Sequence, residues 1–131
     1  MNEPIIGIDL GTTFYCVGIF RQKVVILPNK MGDTRSTTQF YYYNNEIRSR
    51  REPFKNYEKD INQQIIFPKI LIGRKYDDLD IQKLIKKSLL INIIKDQNSS
   101  KPQYCIINKN DKKKFFADEI YTQIFKTIKI F

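Results

Sequence analysis

Asp9, Gly11, Thr12 and Thr13 fall within five consecutive positions and are the residues of this 131-residue chain best suited to chemistry. The string has the form D-x-G-T-T. A carboxylate one residue before a turn, in a stretch otherwise apolar, needs a reason, and a ligand held at the turn supplies one. Gly11 lets the backbone approach such a ligand closely. Successive amides, together with the hydroxyls of Thr12 and Thr13, form a concave set of donors that suits phosphate oxygens. Asp9 would then stand where a hydrated Mg²⁺ on those phosphates needs a negative charge. The same string also suits a plain turn in which Asp and Thr bond their own backbone. The five residues alone leave both open.

The elements that position this string follow from the apolar pattern. Ile5, Ile6, Ile8 and Leu10 precede the turn and Val17 to Phe20 follow it, so Pro4 to Phe20 is expected to form a strand, a tight turn and a strand. Over its length GIDLGTTFYCVGIF resembles the first phosphate-binding hairpin of the seventy-kilodalton heat-shock chaperone family, within the actin-like ATPase superfamily. The resemblance implies an ATP and Mg²⁺ site, with Asp9, Gly11, Thr12, Thr13 and Phe14 as cofactor-binding residues and Asp9 reaching the metal through water. It implies an α/β chain of the actin-like ATPase, ribonuclease H-like fold, in part. That part is a first-lobe strand meander and a small α+β outer subdomain.

Two later stretches extend the resemblance. Asn29 to Thr38, NKMGDTRSTT, is a loop by its composition, and it is similar to a family loop of G-N-R-T-T type with one residue inserted and a proline missing after the threonines. Phe67 to Asp78, FPKILIGRKYDD, resembles the family's D-A-K-R-L-I-G-R-K-F-D-D and so places Lys69 on the lysine that the family needs for ATP hydrolysis. A lysine beside a phosphate stabilises charge developing on the transferred group. Phe67-Pro68 stands where the family has Asp-Ala, and Ile70 where it has Arg; Pro68 restricts both itself and Phe67, which bears on where Lys69 points. The run Leu71 to Asp78, LIGRKYDD, favours the chaperone branch over sugar kinases and actin.

Around these motifs the chain is that of one modest domain. It is 41% hydrophobic, 13% aromatic and 28% charged, which argues against disorder and fibrous repeats. No apolar run reaches membrane-spanning length, and Met1 to Pro4 lead straight into the first strand, so no leader is expected and a cytoplasmic address follows. Cys16 and Cys105, with no histidine in the chain, make too few ligands for zinc and are expected to be reduced and buried. The net charge of +9 is uneven: residues 1 to 43 carry four basic and three acidic groups, residues 44 to 131 nineteen and eleven. The bases are scattered or in short runs, notably Lys112 to Lys114, so a solvated face is expected and nucleic acid is not.

Further strands are expected at Val24 to Leu27, Gln39 to Tyr43, Leu89 to Ile94 and Gln103 to Ile107. Turns are expected at Arg21 to Lys23, at Arg48 to Pro53, at Asp96 to Pro102 and from Asn108 to Lys114. Helices are expected at Phe54 to Ile61, at Asp77 to Lys87 and from Ala117 to Phe131. The three tyrosines Tyr41 to Tyr43 suit strand packing better than base stacking. The expected units are a phosphate-hairpin part (1–43), an outer α+β part (44–116) and a returning helix (117–131).

By resemblance, the partners would be unfolded client proteins, J-domain co-chaperones and nucleotide-exchange factors, without a membrane. The family's second phosphate loop, the further carboxylates of its Mg²⁺ site and its adenosine pocket have no counterpart in these 131 residues. The chain is therefore expected to be inactive as an ATPase by itself. The first function expected is the amino-terminal part of an ATP-dependent chaperone. A non-catalytic interaction module derived from that family comes next, and a basic binder of nucleic acid or anionic surfaces third.

Overall fold

A computed structural model describes residues 3–43, 45–49, 64–88, 92–108 and 110–128. The expected helix at Phe54 to Ile61, Arg50 and Arg51, the start of the strand expected from Leu89, and the last three residues lie outside these. The first apolar run forms β1 (Ile5–Leu10), which turns through Gly11, Thr12 and Thr13 into β2 (Phe14–Arg21). The two are antiparallel, with Ile5 opposite Phe20, Asp9 opposite Cys16 and Leu10 opposite Tyr15. Gln22, at φ 65°, turns the chain tightly into β3 (Lys23–Leu27), which completes a meander on β2.

The loop expected from Asn29 to Thr38 contains a two-residue strand, β4 (Ser36–Thr37), paired with Phe14 and Tyr15 at the start of β2. The Asn29 side chain explains the return. Its Oδ1 accepts the amides of Met31 (2.9 Å) and Asp33 (3.0 Å), and its Nδ2 donates to Ser36 Oγ at 3.1 Å. This Asx-type network folds the loop back onto the hairpin.

A second sheet has the order β6-β5-β7, from β5 (Phe40–Tyr43), β6 (Glu46–Ser49) and β7 (Gln64–Ile65). Here the basic turn expected at Arg48 and Ser49 is a strand instead. The turn comes earlier, at Asn45, whose φ is 63° and whose Oδ1 accepts the Tyr42 hydroxyl at 3.1 Å. Arg48 then pairs along the strand with Glu46 (Nε to Oε2, 2.8 Å), which satisfies its charge at the surface. Phe40, Tyr41 and Tyr42 are buried, as packing residues should be.

The third sheet has the order β10-β9-β8, from β8 (Ile93–Lys95), β9 (Pro102–Asn108) and β10 (Asp111–Phe116). The turn expected through Lys114 ends early, and Asp111 already pairs with Asn108. Lysine has low strand propensity, so a run of three suggests a turn. An edge strand tolerates it, because the ammonium groups stay in water while the stems lie beside Ile107, Ile106 and Cys105 across the ladder.

Three helices complete the fold of the described residues. The short α1 (Pro68–Leu71) was not expected from the apolar pattern; α2 (Leu79–Lys87) and α3 (Ala117–Thr127) were. Asp78 precedes α2, its carboxylate accepting the Lys75 amide at 3.0 Å, and Lys86 and Lys87 lie at the carboxyl end, where the dipole favours cations. Glu119 reaches back to accept the Phe116 amide at 2.7 Å and so closes the first turn of α3. The core joins the second and third sheets to all three helices through Phe40, Ile65, Leu71, Ile81, Tyr104 and Ile120, among others.

The first sheet stands apart from that core. Leu10 and Tyr15 pack against it, while Ile5 is 70% exposed and Val24 68% exposed. Cys105 is buried and Cys16 half-buried, and both are free thiols. Among the described residues no helix is long and apolar enough to cross a membrane.

Candidate phosphate-binding site

The hairpin turn is closed by one backbone bond, Gly11 N–H to the Phe14 carbonyl at 2.9 Å. A Cβ on Gly11 would lie 2.8 Å from that carbonyl oxygen, so no larger residue fits without opening the turn. Thr38, which is buried, grips the far side: its Oγ1 donates to the Thr12 carbonyl at 2.7 Å and its amide to the Thr13 carbonyl at 2.9 Å. In a trans peptide the N–H points opposite to the C=O. The N–H of Thr13 therefore aims away from Thr38, and Thr12 and Thr13 are exposed.

Asp9 is exposed and shares a face of the sheet with Gly7, Gly18 and Cys16. Gly7 and Gly18 are directly opposed; a Cβ on Gly7 would meet nothing within 4 Å, while the side chains of Val24 and Ile26 lie over Gly18. Phe14, named with the cofactor-binding residues, has its ring under the Arg35 guanidinium, 4.9 Å from the centroid. That contact ties the turn to the loop that follows β3 and brings a cation to the hairpin.

Lys69 comes to the same place from 59 residues away. Its Nζ donates to the Leu10 carbonyl at 3.0 Å, between Asp9 and the turn. The departures around it have a structural account. Phe67 adopts the left-handed conformation (φ 57°, ψ 43°), and Pro68 occupies the start of α1, where a missing N–H does no harm. Phe67 and Ile70 both pack against the core, as the family's Asp and Arg at those positions would not. The whole segment hangs from Tyr104, a fully buried residue of β9 whose hydroxyl donates to the Ile66 carbonyl at 2.6 Å. Burial also pushes the Tyr104 hydroxyl well above the usual tyrosine range.

Asp9, Gly11, Thr12, Thr13, Phe14 and Lys69 are thus brought together around one turn. Thr38, Arg35 and Tyr104 support them and were not singled out from the sequence. The threonine pair in the G-N-R-T-T resemblance was a signal for Thr38; nothing local marked Tyr104. Exposed threonines, the outward amide of Thr13 and an ammonium fit the oxygens of a phosphate. Asp9 is an exposed carboxylate, whose chemistry suits the outer shell of a hydrated metal ion, and among the described residues no cluster of three or more Cys, Asp or Glu side chains is placed to hold a metal directly. A cavity of about 510 Å³ lies to one side of these residues, between β2, β6 and the end of α3, with Tyr15, Leu27, Ile47 and Thr127 in its wall.

The family model described as Hsp70 protein matches residues 5–130. Heat shock 70 kDa protein II of Paracentrotus lividus is 32% identical over 129 residues, covering 98% of this chain and 34% of the relative. The heat shock 70 kDa protein of Trichophyton rubrum is 33% identical over 123 residues, 92% of this chain and 18% of its own length. Heat shock cognate 70 kDa protein 3 of Dictyostelium discoideum is 32% identical over 126 residues, 95% of this chain and 20% of its own length. The chain therefore spans between about a fifth and a third of these relatives, in their amino-terminal part. Its mixed α/β meander and outer subdomain are the corresponding part of the actin-like ATPase fold. With a match that runs almost end to end, this chain belongs to the 70-kilodalton heat-shock protein family.

Proposed function

We propose that the hairpin Asp9 to Phe14, with Lys69, is one wall of an Mg-ATP phosphate site and serves an ATP-dependent chaperone of the family's kind. The observation that carries this is the 3.0 Å bond from Lys69 Nζ to the Leu10 carbonyl, which holds a cation at the turn where Thr12 and Thr13 present their donors. Bound there, ATP would supply the phosphoryl group for transfer to water. Thr12 and Thr13 bind phosphate oxygens, with the outward amide of Thr13 beside them. Lys69 offsets negative charge, and Asp9 accepts from the waters of Mg²⁺. Adenosine would be held by groups that these residues do not include. Client proteins, J-domain co-chaperones and nucleotide-exchange factors are the partners of this proposal, and the cytoplasm its setting.

Calorimetric titration with Mg-ATP tests it. Thr13→Ala and Lys69→Ala are each expected to weaken binding by about tenfold or more, which corresponds to about 1.4 kcal/mol. A folded chain that binds no Mg-ATP would refute the site and leave a non-catalytic interaction module as the better account. That second account draws on Phe67 and Ile70, which serve the core rather than the phosphate.

A further inference from the structure

The third sheet ends at β10, and no described strand pairs with its outer edge. Alternate residues of an edge strand turn their N–H and C=O groups away from the sheet, so β10 offers a short ladder of backbone donors and acceptors. Asp111 to Lys114 are exposed along it. Lys112 and Lys114 project on one face, across from Ile107 and Cys105, and Lys113 on the other, across from Ile106. Lys101 lies over the ring of Phe116 at 5.8 Å, which extends the cationic row on the face of Lys112 and Lys114. Among the described residues neither Lys112 nor Lys114 forms a salt bridge, and Lys113 meets Asp111 only at 3.9 Å.

Lysines on an edge commonly keep sheets apart. Here they exclude one occupant and select another. A second copy of β10, paired antiparallel, would set the lysine run against itself, and like charges directly opposed are unfavourable. A strand with carboxylates at alternate positions would meet Lys112 and Lys114 on one face and Lys113 on the other, while its backbone completes the ladder. We propose that β10 is a docking edge for an acidic, extended segment of another protein, added as a fourth strand. The mode is β-augmentation: the backbone supplies affinity and the alternating side chains the choice of partner.

The test uses the full chain and a fluorescent synthetic peptide alternating glutamate and valine, followed by anisotropy. A second peptide of the same sequence, N-methylated at alternate amides, keeps the charge and loses the ladder. The expected result is saturable binding, weakened by about tenfold or more with the methylated peptide or in the Lys112→Glu/Lys114→Glu variant, and unchanged in Lys83→Glu/Lys87→Glu on α2. Equal binding of both peptides would overturn the proposal in favour of simple charge attraction. Tighter binding of a single-stranded oligonucleotide would overturn it in favour of nucleic acid, and no binding of the acidic peptide would overturn it outright. Because the methylated peptide changes only the ligand, the outcome stands even if a lysine variant fails to fold.

Discussion

Gly11 has less latitude than Gly7 or Gly18, the other glycines of the hairpin. A methyl group there would press on the Phe14 carbonyl at 2.8 Å, and that oxygen cannot move without losing the 2.9 Å bond that closes the turn. Gly11→Ala is expected to destabilise the chain by about 1 kcal/mol or more, because the turn must open or shift. Denaturant unfolding would measure it, and an unchanged midpoint would show that the turn yields freely. The turn through Gly11, Thr12 and Thr13 was legible in the sequence because a tight turn needs only local geometry. Thr38 was harder to find: its value lies in the Thr12 and Thr13 carbonyls, 26 and 25 positions away, and only the fold of the intervening loop brings it there.

Among the elements, β9 does most to set Lys69 in place. Its Tyr104 holds the Ile66 carbonyl, and Phe67, strained at φ 57°, follows directly. Unfolding releases the Tyr104 hydroxyl from burial, so that it ionises near its ordinary value of 10 instead of far above it. Tyr104 therefore contributes stability that is whole below that pH and is lost as the pH rises beyond it. Tyr104→Phe is expected to cost about 1 kcal/mol near neutrality, through an unsatisfied buried carbonyl. It should also flatten the fall of stability in alkali, leaving the smaller slope that Tyr121, raised the same way by burial, retains. Denaturant melts across the alkaline range would check both. Strands with a strong apolar pattern, β1, β2 and β9, were predictable, as were the amphipathic helices α2 and α3. The misjudged pieces were β6, β10 and α1. Charge or proline in their sequences argues against regular structure, and pairing or packing with distant residues decides the matter.

At the scale of the whole molecule, the core and the phosphate turn belong to different bodies of structure. The core lies among the second and third sheets and the helices, while the first sheet leans on it through Leu10 and Tyr15. Ile5, Phe20, Val24 and Ile26 share the face of that sheet on which Asp9 lies, and all four are exposed. An apolar face favours association, and among the described residues no strand pairs with the outer edges of β1 and β3. Sedimentation is expected to show concentration-dependent self-association of the isolated chain, and Ile5→Lys with Val24→Lys to shift it toward monomer. A single monomeric species over the whole concentration range would contradict this.

The bond from Lys69 to the Leu10 carbonyl has a thermodynamic corollary. An ammonium group has three donors and this one commits a single donor to the backbone, so an anion at the turn need not break the tether. Much of the side chain's freedom has been given up in folding, before any ligand arrives, and the site is to that extent preorganised. Binding is then linked to folding itself: whatever occupies the turn also holds together two segments that lie 59 residues apart, and the stability of the chain rises with the logarithm of ligand concentration once the site is near saturation.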